Sequence, residues 1–196
     1  MLRHPIPRIS AVILAGGLST RMGRDKSRLR LGRLTLVGIL RRTCVKARLR
    51  VRVIRTDAIP RCGPLGGILT ALRRSRSDAL LFLSCDMPFV SVALLNKLIQ
   101  RARKSGRPTF LADSSGVGFP FLLWRGQLVQ VEAQIQQCRF SLQELARAVR
   151  AVRSTPTRSE QHQRFNLNTP EDWEKAKICW HGPDNLVWSR DTFRLK

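Results

Sequence analysis

The run from Ile9 to Leu14, ISAVIL, is apolar, rich in β-branched residues, too short for a helix, and halted at Gly16-Gly17. Such a run predicts a buried β-strand that ends in a tight loop. This handover constrains the chain more than any other feature, because a buried strand needs neighbours on both sides and the loop at its end must lie at the edge of the resulting sheet. Without a Cβ, the backbone at Gly16 and Gly17 can approach a ligand closely, and successive N–H groups can form a nest for an anion. Arg21 and Lys26 add a planar fork and a point charge, the combination a polyphosphate takes.

A double glycine after a strand is equally an ordinary turn, so the neighbours decide. Val51 and Val53 alternate with Arg50 and Arg52, which predicts a strand ending near Arg55 with Asp57 just beyond it. Cys62-Gly63-Pro64-Leu65-Gly66-Gly67 then opens a helix through Arg74, with Ile68, Leu69, Ala71 and Leu72 as its apolar side. A helix start alone would explain this run, with Gly66 and Gly67 small for close packing. The uninterrupted apolar run Ala79 to Ser84, ALLFLS, predicts a strand buried on both faces of a parallel sheet, and Cys85-Asp86-Met87-Pro88 puts a carboxylate just past its end. Open α/β sheets bind ligands at that edge, although a lone Asp there is more often a turn or cap.

The remaining segments alternate in the same way. Ser27 to Arg33 reads as a basic loop and Leu34 to Ala47 as a helix with Leu36, Ile39, Leu40 and Val45 on its apolar side. Ser91 is the expected N-cap of a helix from Val92 to Lys104, with Gly106 past its end. Pro108 to Ala112 and Phe119 to Trp124 are expected strands joined by a turn at Gly116 and Gly118. Gln127 to Gln137 has helical spacing, and Ser141-Leu142-Gln143-Glu144 is a capping-box pattern for a helix to about Arg147. Thr169 and Pro170 start a last helix running to about Lys177. Capping does not account for Asn166 and Asn168, whose spacing of two aims both at one face of an extended segment. The whole predicts one α/β domain with a mostly parallel sheet over residues 1–178, followed by a tail, 179–196, with no assignable structure.

Thirty-six Lys and Arg against 13 Asp and Glu give 196 residues a formal net charge of +23, which attracts polyanions of any kind. The cations are scattered rather than gathered in one tail, so the expectation is a general basic surface without a dedicated nucleic-acid site. Carboxylates are scarce enough to be informative: from Met1 to Met87 there are only four, Asp25, Asp57, Asp78 and Asp86. Five cysteines without close pairing indicate neither a zinc site nor a disulfide framework. No apolar run is long enough to span a membrane, and the strand at Ile9 leaves no room for a cleavable signal, so a cytoplasmic location is expected.

Leu14-Ala15-Gly16-Gly17, Ser19, Arg21-Met22-Gly23 and Asp25-Lys26 together resemble the signature of nucleotidyltransferases that act on the molybdenum cofactor, most closely the molybdenum cofactor guanylyltransferases. The resemblance extends from about Ile9 to Lys177. It implies a Rossmann-like nucleotidyltransferase fold and transfer of GMP from GTP to molybdenum-bound molybdopterin, with release of pyrophosphate. Leu14, Ala15, Gly16, Gly17, Arg21, Lys26, Asp57, Asp86 and the loop Gly63, Pro64, Leu65, Gly66, Gly67 would hold nucleotide. Asp86 would bind Mg²⁺, and Asn166 and Asn168 of the Asn-x-Asn-Thr-Pro-Glu pattern would lie near metal and acceptor. Contacts with molybdoenzyme maturation proteins are also implied.

Two departures stand out. A strand and loop that the family carries after the first helix is missing, and Phe119 replaces a polar residue, often His, before Pro120. A related nucleotidyltransferase with another base or acceptor, cytidylyl or sugar-phosphate, therefore stays open, as does a non-catalytic nucleotide- or RNA-binding protein. If Lys26 holds phosphate, Lys26→Ala will weaken GTP binding and turnover far more than Arg30→Ala; equal losses in isothermal titration and activity assays would reduce the attraction to general charge.

Overall fold

A computed structural model of the chain describes residues 6–16 and 29–180. Eight strands and six helices alternate along them: β1 (Ile9–Leu14), β2 (Arg30–Leu31), β3 (Leu34–Thr35), α1 (Leu36–Lys46), β4 (Arg50–Ile54), α2 (Pro64–Arg74), β5 (Ala79–Ser84), α3 (Val92–Ser105), β6 (Thr109–Asp113), β7 (Gly116–Trp124), α4 (Leu128–Gln136), α5 (Leu142–Ala148), β8 (Val152–Ser154) and α6 (Pro170–Cys179). Among the described residues the main sheet has six strands in the order β4-β1-β5-β7-β6-β8. β1 pairs in parallel with both β4 and β5, and β6 with β8, while β7 runs against β5 and β6.

The central strands are apolar on both sides because helices cover both sides. Ala11, Ile13, Leu81 and Leu83 face α1 and α3, and Val12, Leu80 and Phe82 face α2 with α5. Burial on both faces removes water as an alternative partner for the backbone, so each N–H and C=O must find its ladder bond. On the second side Phe121 stacks between Phe110 and Phe82, with ring centroids 4.3 and 5.1 Å away. A third, smaller cluster joins Leu31, Leu36, Ile39, Phe89 and Leu167 beneath α6.

The sheet stops at β4 on one side. Val51 to Ile54 pair directly with Ala11 to Leu14, so the strand that the resemblance marks as missing is absent from this edge among the described residues. Helix boundaries follow their caps: Ser91 Oγ accepts the Leu94 N–H at 3.2 Å, and Gly106 closes α3 in the left-handed conformation at φ 66°. Thr169 and Asp172 cap α6 reciprocally.

Several expectations need correction. Leu29 to Arg33 is not all loop: Arg30–Leu31 pairs with Leu34–Thr35, and Leu31 is buried in the third cluster. Val45 is 64% exposed; Val37, Leu40 and Cys44, spaced three and four apart, form the buried stripe, and Val45 lies one step around the helix from it. Gly116 and Gly118 belong to β7, with the turn at Ser114 and Ser115 before them. Ser141 Oγ takes the Gln143 N–H, and among the described residues no bond from Glu144, the third helical residue, completes a reciprocal box; Gln143 itself reaches across to the backbone of Val117, to which it both donates and accepts. Helix α6 continues to Cys179, and Trp180 packs on Phe89 at 6.4 Å. Residues 181–196, including Gly182, Pro183 and Trp188, lie outside the described residues.

Removing the ring between two others should leave a cavity that the sheet cannot close. Phe121→Ala is expected to cost about 3–5 kcal/mol, whereas Val45→Ala should stay within about 0.5 kcal/mol. Thermal melts of the two variants check the contrast, the first falling by roughly 10 °C.

Candidate functional site

Three chain segments leave the sheet side by side at the C-terminal ends of the parallel strands. Ala15 N–H donates to the Ile54 C=O at 2.8 Å and Cys85 N–H to the Leu14 C=O at 3.1 Å, so the ladder continues one residue past β1 and β5 before the loops diverge. Leu14, Ile54 and Ser84 are therefore in register, and Gly16, Asp57 and Asp86 follow within three residues of them. Gly17, Arg21 and Lys26, with the other signature residues from Ser19 to Asp25, lie outside the described residues.

Asp57 is placed by its neighbours' lack of side chains. A Cβ on Gly16 would stand 2.8 Å from the Arg55 C=O and 3.7 Å from Asp57 Oδ1; one on Gly66 would stand 2.6 Å from the Ile59 C=O and 3.0 Å from Asp57 Oδ2. Both positions admit glycine alone, since the obstructing atoms are backbone. The Asp57 loop is thus pressed into the first turn of α2. Thr70 pins it there: its hydroxyl donates to the Gly66 C=O at 2.7 Å and accepts the Ala58 N–H at 2.8 Å. This enclosure takes water from the carboxyl, and desolvation pushes the pKa of Asp57 up.

The loop expected to touch nucleotide divides in two. Gly63 is exposed and Pro64 half-buried, while Leu65, Gly66 and Gly67 are buried, with the Leu65 side chain in the core and its N–H donating to the Cys62 C=O at 3.2 Å. Gly66 and Gly67 meet Asp57, so Asp57 is the carboxylate this glycine pair accommodates.

Asp86 sits on the turn after β5, closed by Met87 N–H to the Ser84 C=O at 3.2 Å. Its Oδ1 is buried and has no hydrogen-bond partner among the described residues. A buried carboxylate oxygen left bare is costly, and a hydrogen-bond donor or a cation would relieve it. Its backbone C=O accepts the Leu167 N–H at 2.9 Å, which brings the asparagine segment to the same edge. Leu167 is fully buried while Asn166 and Asn168 are exposed, the alternation expected of an extended strand. Phe119, whose ring centroid is 5.0 Å from that of Phe121, is half-buried at the rim of both main clusters. Among the described residues no group of three or more His, Cys, Asp or Glu could hold a metal, and no helix is long and apolar enough to cross a membrane.

Sequence reasoning did not find Thr70 or Gln143. Thr70 sits four residues after Gly66 in a helix, the spacing at which a hydroxyl bonds back to a carbonyl, and that was the available signal. Gln143 acts across the fold on Val117 and left no local trace.

The profile of the MobA-like NTP transferase domain matches residues 38–157. A molybdenum cofactor guanylyltransferase of Xanthomonas euvesicatoria is 30% identical over 190 residues, covering 89% of this chain and 96% of that one. Among solved structures, the molybdopterin-guanine dinucleotide biosynthesis protein A of Archaeoglobus fulgidus superposes with a TM-score of 0.70 at 19% identity, over 86% of this chain and 97% of that one. The 2-C-methyl-D-erythritol 4-phosphate cytidylyltransferase of Thermus thermophilus does so with a TM-score of 0.65 at 15% identity, over 87% and 98%.

The raised pKa of Asp57 has a signed consequence. A carboxyl whose folded-state pKa lies above its unfolded value destabilises the fold once ionised; the penalty is absent below the unfolded pKa and complete above the folded one. Asp57→Asn should therefore melt higher than the wild type at pH 7, with the gap closing as pH falls from the raised folded-state pKa to the ordinary carboxylate value. A lower melting temperature at pH 7 would contradict the desolvated setting.

Proposed function

The chain belongs to the family of MobA-like NTP transferases and is a nucleotidyltransferase, and we propose that it transfers GMP from GTP to molybdenum-bound molybdopterin, releasing pyrophosphate. The observation that carries this reading is the bare buried Oδ1 of Asp86, at the sheet edge where Asp57 and Gly16 also emerge. It is supported by the names of the full-length relatives.

In the reaction an oxygen of the acceptor phosphate attacks the α-phosphorus of GTP in line. The new P–O–P bond forms as the bond to the β-phosphate oxygen breaks and its electron pair leaves with pyrophosphate. The attacking phosphate is already ionised, so no side-chain base is required, and the chain's task is positioning and neutralisation of charge. Backbone N–H groups at Gly16 and Gly17, with Arg21 and Lys26, would hold the triphosphate. Asp86 fits a divalent cation as a single carboxylate ligand, with phosphate oxygens and waters filling the remaining positions, as is usual for Mg²⁺. Mg²⁺ bound there would supply charge neutralisation on the phosphates.

The carboxylate of Asp57, held against Gly66 and Gly67 at the start of α2, would take hydrogen-bond donors of base or ribose. A guanine edge offers such donors. Asn166 and Asn168, tethered to Asp86 through Leu167, would face the acceptor side.

Base selection separates this reading from its rivals, because phosphate contacts are common to all nucleotides while a buried group left unpaired by the wrong base is penalised. With Mg²⁺, GTP should bind better than ATP, CTP or UTP, and the preference should persist from low to moderate salt. A preference for CTP would favour a cytidylyl-transferring relative. Salt-sensitive binding without base preference would overturn the proposal.

A further inference from the structure

The arginines scattered along the sequence are gathered by the fold at the end of the sheet opposite Asp57 and Asp86. A groove of about 550 Å³ lies along the α2 side of the edge strand β4, lined by Arg50 and Arg52 of that strand and by Arg74 and Arg76 at the end of α2 and just after it. A second groove of about 610 Å³ shares Arg50 and Arg76 and continues under the N-terminal ends of the strands to Arg48 and Arg103. All six residues are exposed. Among the described residues none of the six guanidinium groups is paired with a carboxylate. Asp78, the acidic residue at this end, is taken by Arg8, whose backbone N–H donates to it at 2.7 Å and whose guanidinium lies at 3.8 Å.

A charged edge strand has an ordinary use, which is to prevent pairing with another chain's strand. That would explain Arg50 and Arg52. It does not explain why Arg74, Arg76 and Arg103, on other elements, converge on the same channel, nor why Arg52 Nη1 is tied to the Arg74 C=O at 2.9 Å, which holds two of the cations together. Six like charges brought together without a counter-charge repel one another, and an anion extended along the channel relieves them all at once. The cations lining it are arginines throughout, whose planar forks match phosphate oxygens in pairs. Among the described residues no aromatic side chain lines either groove, so stacking on bases finds no platform in them.

We propose that this channel binds the phosphodiester backbone of single-stranded nucleic acid without regard to sequence, at a face separate from the nucleotidyl-transfer site and independently of the reading given to that site. The test measures binding of a fluorescent oligouridylate of about 12 nucleotides against salt concentration. Each phosphate contact to a single strand contributes about 0.7 to the slope of log K against log salt. Replacing Arg50, Arg52, Arg74 and Arg76 together by Gln should make the slope shallower by about 3 and lower affinity at 0.1 M salt at least about tenfold. A control of equal net charge, Arg41→Gln, Arg101→Gln, Arg139→Gln and Arg158→Gln, changes exposed arginines outside both grooves; its slope should stay near the wild-type value.

Equal losses in the two variants would overturn the proposal in favour of diffuse charge. So would tighter, groove-dependent binding of poly-glutamate than of oligouridylate, which would mark the channel as a seat for an acidic protein. Should the fourfold variant fail to melt cooperatively, Arg74→Gln with Arg76→Gln carries the same test, with an expected change in slope of about 1.4. GTP turnover of the folded variants should be unchanged, because the substitutions lie at the opposite end of the sheet.

Discussion

The parallel pairing of β1 with β4 on one side and β5 on the other is the interaction on which the remaining structure depends. Both faces of β1 are covered, so its backbone groups have no water to turn to and must be satisfied by these two neighbours. The pairing continues through Ala15 to Ile54 and Cys85 to Leu14. Those two bonds fix where three loops leave the sheet, and hence where Gly16, Asp57 and Asp86 stand relative to one another. A slip of one residue in either register would exchange the side chains packed on the two helix layers and shift the loops relative to one another.

Around that junction, small residues do the positioning. Gly16 and Gly66 exclude any Cβ and let the Asp57 loop descend onto α2, where Thr70 fixes it with two hydrogen bonds. The result is a carboxyl stripped of part of its hydration and a second, at Asp86, with a bare oxygen. Neither arrangement favours the empty fold. Under the proposed function each would become favourable once a ligand brought donors or positive charge, the usual relation between local destabilisation and a binding site.

The two ends of the sheet differ in chemistry. At the C-terminal end, Asp57 packs against Gly66 and Gly67 and Asp86 follows the neighbouring strand β5; at the N-terminal end, arginines from several elements border a channel and the local carboxylate is occupied by Arg8. Among the described residues β4 is the edge strand on this side, and its Arg50 and Arg52 face outward along that edge.

The sequence by itself determined the elements whose signals are local. ISAVIL and ALLFLS are short, apolar and punctuated by loops, Ser91 and Thr169 are good caps, and the motifs at Gly16, Gly63 and Asp86 each come after a strand, which sufficed for the α/β class and for the sheet edge at which the candidate residues emerge. Tertiary structure alone decided what depends on partners remote in the chain. β8 is a three-residue strand that exists because β6 offers it a ladder; Val45 lies outside the core because the buried stripe of α1 is set by what β1 and α3 present to it; the Gln143 side chain holds the backbone of Val117, 26 residues away. The Asp57 pocket and the arginine channel belong to the same class. Sequence spacing records which residues share a face of one element, whereas desolvation and charge repulsion depend on which faces of different elements are packed together.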